Sequence, residues 1–175
     1  MIGMYCRVLS KNLWLVGVLV SACAAPVVRP TGPGPVGQAE GRWRQQVHWM
    51  PMSDRDGTRR LLYARVCRPE SDAPVPVAVL NHGTGPTRYI LEPQACSDEA
   101  PRWFLDRGYM VVMPIRRGYG ATGGPDSAFL ALGPGGLRKC DDLEPAVIAS
   151  EAARDIEAAV KYATAPPGAL RDSHI

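Results

Sequence analysis

Hydrophobic and polar positions change rhythm along the chain. Arg42 to Met50 (RWRQQVHWM) alternates, with Trp43, Gln45, Val47 and Trp49 on one face. Leu61 to Cys67 (LLYARVC) is a second strand-length run, stopped by Pro69. Ser53 to Gly57 lies between them as a turn cluster, so the two runs predict an antiparallel pair that opens a sheet. His48 falls opposite the tryptophans and is expected to face solvent. Val75 to Leu80 and Tyr109 to Ile115 (YMVVMPI) are continuously apolar instead, as befits strands buried on both faces.

Helical spacing appears twice. Asp98 to Asp106 has a capping residue in Asp98, a tolerated Pro101 in the first turn, and Gly108 just past the end. Trp103 and Phe104 are expected to face the sheet. Ile148 to Ala165 is the strongest helix. Ile148, Ala152, Ile156, Ala159, Val160 and Ala163 form its apolar stripe. Glu151 and Asp155 sit early and Lys161 late, as the helix dipole prefers, and Asp155 and Glu157 read as a solvated face.

The order strand, loop, helix, strand, loop from Val75 to Gly124 predicts one βαβ unit. Its two glycine-rich loops, Asn81 to Gly85 and Arg116 to Gly124, then share the carboxyl end of the sheet, where open α/β sheets place their chemistry. Glycines there let the backbone turn sharply and present bare N–H groups. Gly118, Gly120 and Gly123 match G-x-G-x-x-G, but Pro125 and Gly133 to Gly136 follow where a dinucleotide site needs a helix. No nucleotide, and no other cofactor, is expected.

Upstream of the sheet, Arg7 and Lys11 precede an apolar run, Leu13 to Val20, and small residues lead to Cys23. That is the pattern of an export signal over residues 1–22. The run is too short to cross a bilayer, which needs about 20 residues. Residues 23–41 are rich in Pro and Gly and read as a solvated tether. Without Arg7 and Lys11, the 20 basic residues fall to 18, against 17 acidic ones. This near-neutral balance, with no basic stripe, leaves nucleic-acid binding without a footprint. The 3 histidines and 5 cysteines are too scattered for a metal site.

With these motifs in view, Val20-Ser21-Ala22-Cys23 resembles a bacterial lipobox. The resemblance implies lipidation of Cys23 and a partner in the envelope membrane. Leu61 to Ala165 resembles the front half of an α/β-hydrolase, nearest the dienelactone hydrolase and prolyl-oligopeptidase-like serine hydrolases. The matching features are the strand running into His82-Gly83, the RGYMVVMPIRRGYGATGG strand and loop, and the following helix. The fold class so implied is α/β: an antiparallel start, then parallel βαβ, spanning residues 42–165. The resemblance further implies oxyanion-hole donors at Gly83 and Thr84, with His82, Arg116, Arg117 and Gly118 in the site loops. Loss of one such donor typically costs about 3 to 4 kcal/mol of barrier lowering. Arg116 and Arg117 have two readings, a substrate carboxylate or a structural pairing that holds the loop; the second is preferred.

In such enzymes a G-x-S-x-G serine, an acid and a histidine follow in that order. No serine here has glycine two places before and after it. Ser173-His174 in the 166–175 tail is no substitute, because adjacent residues at a terminus cannot be oriented as nucleophile and base. The expectation is a hydrolase of ester or peptide-like acyl bonds, truncated before its nucleophile strand and inactive alone. The alternatives are a non-enzymatic envelope binding lipoprotein and one half of a split hydrolase completed by a C-terminal fragment. Export favours disulfides. Cys96 and Cys140, both in loops near the presumed active-site edge, are the expected pair, leaving Cys67 over.

Overall fold

The computed structural model describes residues 32–71, 73–83, 90–125 and 145–165. Its centre is the hairpin of β2 (Gln45–Ser53) and β3 (Arg59–Cys67). The alternation of both segments sets the register, with Trp49 opposite Tyr63 and Met50 opposite Leu62. Asp54 and Thr58 close the turn, Asp54 N–H donating to Thr58 O at 2.9 Å, and Gly57 takes the left-handed φ of 83° that the turn requires.

β1 (Gly34–Glu40) pairs antiparallel with β2 across the turn at residues 41–44. This corrects the reading of 23–41 as tether throughout. Almost every side chain of β1 is exposed, so the strand is held by backbone pairing at the sheet edge and carries no apolar pattern to betray it.

β5 (Met110–Pro114) pairs antiparallel with β3, and β4 (Val77–Val79) pairs parallel with β5, giving the order β1-β2-β3-β5-β4. The expected α/β-hydrolase half is therefore corrected. The sheet is mixed, antiparallel in three of its four pairings, and among the described residues two α-helices accompany it. Short turns join β1 to β2 and β2 to β3, and such connections impose antiparallel pairing. Only the β4-to-β5 connection carries a helix, α1 (Glu99–Leu105), and only that pair is parallel.

The neighbours Val111 and Val112 send their side chains to opposite faces. Val112 joins Met50, Leu62, Ala64 and Val66 beneath Ala159 and Tyr162 of α2 (Pro145–Thr164). Val111 joins Cys67, Ala78 and Met113 against Leu105 of α1. A third cluster, Trp49, Tyr63, Ile115 and Tyr119, sits under the loop that follows β5. Met50, Leu62, Val111 and Val112 have no exposed surface, and each such side chain contributes roughly 1.5–3 kcal/mol of apolar burial.

Both helices depart in part from the expected orientation. α2 turns Glu151, Asp155, Ala159 and Tyr162 inward and leaves Val160 41% exposed. Asp155 is thus not on a solvated face, because Arg117 of the β5 loop meets it in the interior. α1 buries Pro101 and Leu105 and packs Phe104 against the sheet-side cluster as expected, while Trp103 stays 52% exposed with the Arg107 guanidinium stacked on its ring. Asp98 precedes α1 without a side-chain cap; its carboxylate accepts from Ala95 N–H instead.

The expected Cys96–Cys140 pairing is also corrected. Cys67 and Cys96 form the disulfide, with Cα atoms 5.8 Å apart and both residues buried in the α1-side cluster. The end of β3 lies beside the segment leading into α1, which the separation of 29 residues conceals. Cys140 lies outside the described residues, as does Cys23.

Candidate functional site

The parallel pairing of β4 and β5 brings the segments after both strands to one edge. After β5 the chain tightens into a closed loop. Gly118 N–H donates to Gly123 O at 2.7 Å and Gly123 N–H to Tyr119 O at 3.1 Å, around a single 3-10 turn at Gly120–Thr122. Gly118 has a φ of 83°, and a side chain at Gly120 would strike the carbonyl of Leu91. The three glycines that mimic a dinucleotide fingerprint are used to fold this loop on itself. Thr122 secures it to the sheet: its hydroxyl donates to Ile115 O at 2.5 Å and accepts from Tyr63 N–H at 2.9 Å.

Arg117 is 1% exposed at the centre of a buried charge cluster. Its Nε donates to Asp155 at 2.6 Å, its Nη1 to Asp54 at 2.6 Å, and its Nη2 to the Glu151 carbonyl at 2.8 Å and carboxylate at 3.3 Å. Its backbone N–H adds a second bond to Asp155 at 2.9 Å. Arg60 and Arg55 approach from the rim, on Asp54 and Glu151 respectively. Burial opposes the charge of Arg117, but Asp155 and Asp54 outweigh it and hold its pKa above the ordinary value. Burial pushes Asp155 above the usual carboxylate range, with the Arg117 N–H groups pulling the other way. The cluster joins the β2–β3 turn, the β5 loop and α2.

Arg116 does a different job one residue earlier. Its backbone N–H donates to His82 Nε2 at 3.0 Å, and its Nη2 donates to the His82 carbonyl at 3.1 Å. An amide can only donate, so Nε2 is the acceptor and the ring proton sits on Nδ1, which donates to Gly83 O at 2.7 Å. The ring also packs against Tyr119, with centroids 4.7 Å apart. Burial first, and the Arg116 charge in addition, lower the His82 pKa. His82 is therefore a neutral, fully engaged ring that fixes the loop and has no lone pair for proton abstraction. Gly83 beyond it is exposed, with open space where a side chain would be.

Thus the structure brings His82, Gly83, Arg116, Arg117 and Gly118 together at one edge, while Thr84 lies outside the described residues. Three acids escaped the sequence reading: Asp54, Glu151 and Asp155. The i, i+4 spacing of Glu151 and Asp155 on one helix face was the available signal, and only a buried cation makes it intelligible. His48 was misplaced as well. It faces α2, its Nδ1 2.8 Å from the Tyr162 hydroxyl and the rings edge to face. Burial lowers its pKa to about 4 and raises that of Tyr162 to about 12.

Among the described residues neither histidine hydrogen-bonds a serine or a cysteine, and no group of His, Cys, Asp or Glu could hold a metal ion. No described helix is long and apolar enough to cross a membrane. No family model, curated protein or solved structure matches the chain.

Proposed function

We propose that this chain supplies the oxyanion side of a site that hydrolyses ester or peptide-like acyl bonds, in an exported, lipid-anchored protein. The observation that carries the reading is the clamp of Arg116 on His82, which holds Gly83 exposed at the carboxyl end of β4. A backbone N–H fixed in advance stabilises the negative charge that develops on a carbonyl oxygen without reorganising during reaction. The Cys67–Cys96 disulfide supports an oxidising compartment. With Cys23 lipidated, residues 24–33 separate the anchor from β1. At about 3.3–3.6 Å per residue they allow at most ~35 Å of reach.

The 175 residues contain no G-x-S-x-G turn, so they are expected to hydrolyse no ester by themselves. The test is to translate the next ~100–150 codons of the gene in all three frames, enough to complete a domain of ordinary size. A frame carrying an apolar strand into G-x-S-x-G, then Asp and His, supports the reading. Serine-reactive labelling of the joined product should then abolish ester turnover. Absence of such a frame sinks it. A non-enzymatic envelope binding protein is then the better reading, favoured by the full engagement of His82 and of the Arg117 cluster in structural bonds.

A further inference from the structure

The end of the sheet opposite the candidate edge, where β4 and β5 begin, carries an aromatic surface. Trp103 lies in the last turn of α1 and is 52% exposed. Its ring meets Phe104 edge to face, with centroids 4.8 Å apart, and Phe104 meets Tyr109 in the same way at 5.8 Å. Trp43, in the turn between β1 and β2, packs against the same α1-side cluster as Phe104 and Tyr109, and all three are half-buried. Arg42 reaches Asp106 at 3.8 Å and so sets that turn beside the end of α1. An exposed guanidinium lies over each indole, Arg107 on Trp103 at 3.8 Å and Arg42 on Trp43 at 4.3 Å. Indoles with an apolar body, a polar N–H and a cation at the rim settle at the level of lipid headgroups, whose phosphates suit guanidinium donors. Trp, Tyr and Arg also dominate protein interfaces; the chain's own N-terminal segment is what favours the bilayer. With Cys23 in the membrane, residues 24–33 span at most ~35 Å to Gly34. From Gly34, the seven residues of β1 cover only about 24 Å to the turn that holds Trp43. The linker is therefore long enough to run back along β1 and set both indoles on the bilayer that holds the anchor.

We propose that the face formed by Trp43, Trp103, Arg42 and Arg107 docks the domain on the surface of the bilayer, with the indoles at headgroup depth. The anchor rests on the function proposed above; the docking face rests on the exposed indoles and their guanidiniums. This orientation turns the opposite end of the sheet, with His82, Gly83 and Arg116, away from lipid and open to dissolved compounds.

The experiment expresses the whole chain in bacteria, recovers it from the membrane fraction and reconstitutes it into vesicles of phosphatidylcholine and phosphatidylglycerol. Flotation of the vesicles reads the anchor. Docking is read with acyl chains brominated near the headgroup, because bromine quenches an indole only at close approach. Trp103 emission is the difference between the unaltered chain and Trp103→Phe, a change at an exposed position. The expected result is flotation with loss of most of that emission in brominated vesicles. The double variant Trp43→Phe, Trp103→Phe keeps Trp49, which is 1% exposed, and should show no such loss. The single-variant comparison stands even if the double variant misfolds. Flotation with Trp103 bright and open to acrylamide would overturn the proposal and keep the anchor. Flotation with Trp103 bright yet shielded from acrylamide would overturn it in favour of a protein partner, a second copy included. Absence of flotation would remove the anchor and this proposal together, leaving the acyl reading of the other edge to its own test.

Discussion

Arg117 shows how one side chain can decide whether an interior is tolerable. Its three nitrogens meet three buried carboxylates, which among the described residues Arg55, Arg60 and Arg154 reach only from the rim. Removing it leaves those carboxylates facing one another in a medium that cannot solvate them. Arg117→Met should therefore lower the unfolding free energy by about 3–5 kcal/mol, the cost of breaking a buried pair from one side. Arg60, on Asp54 at the rim and 31% exposed, is the internal control. Arg60→Ala should cost no more than about 1 kcal/mol, because solvent screens exposed pairs. Urea unfolding of both variants checks the contrast. Equal losses would mean that the centre of the cluster is as well solvated as its rim.

At the scale of elements, the sequence disclosed what repeats locally and hid what is fixed from a distance. β2, β3 and β5 are legible because alternation and apolar runs are properties of a few adjacent residues. β1 (GPVGQAE) is not, since it is held chiefly by backbone pairing with β2. α2 is legible as a helix and was misread in orientation. An apolar stripe assumes that the sheet wants only apolar contact, whereas Arg117 draws Glu151 and Asp155 inward. The rotation predicts an asymmetry along that helix. Val160→Lys should change stability by no more than about 0.5 kcal/mol, as exposed substitutions do. Ala159→Leu, at a position with no exposed surface, should cost about 1–3 kcal/mol by overpacking. Thermal unfolding of the pair tests the orientation, and comparable losses at both positions would restore the stripe as the buried face. The candidate loops were found for the same local reason, through their glycines, but the clamp on His82 joins residues 34 apart and has no signature in either segment. The Cys67–Cys96 bridge is another long-range tie. Replacing both cysteines by serine should cost about 3–4 kcal/mol, from the chain entropy of a closed loop of this size. Peptide mapping under non-reducing conditions should recover a peptide pair containing Cys67 and Cys96; recovery of Cys96 with Cys140 would sink this prediction.

For the molecule as a whole, the same contacts that close the structure set its response to acid. His48 joins β2 to α2 through Tyr162, and His82 joins the two loops at the sheet edge. Each has its pKa lowered chiefly by burial, His48 from 6.5 to about 4. A lowered histidine binds its proton more readily when the chain is unfolded. Stability is then complete above the unfolded value and falls as pH drops below 6.5, until the folded value is reached. For His48 the slope approaches 1.4 kcal/mol per pH unit, so about 2–3 kcal/mol is lost between pH 6.5 and 4 after allowance for its partial exposure. His82 adds a loss of the same sign that starts at the same upper limit. Asp155 acts in the opposite sense. Burial raises its pKa, so the folded state takes up that proton first, and its contribution begins only as pH falls toward the carboxylate range. Urea unfolding at intervals from pH 7.5 to 4 should show the decline in the unaltered chain. In His48→Gln, which keeps a polar partner for the Tyr162 hydroxyl, the decline should be shallower, with only the His82 share remaining. A flat stability between pH 6.5 and 5 in the unaltered chain would show that water reaches His48, and that α2 packs on the sheet more loosely than its contacts imply.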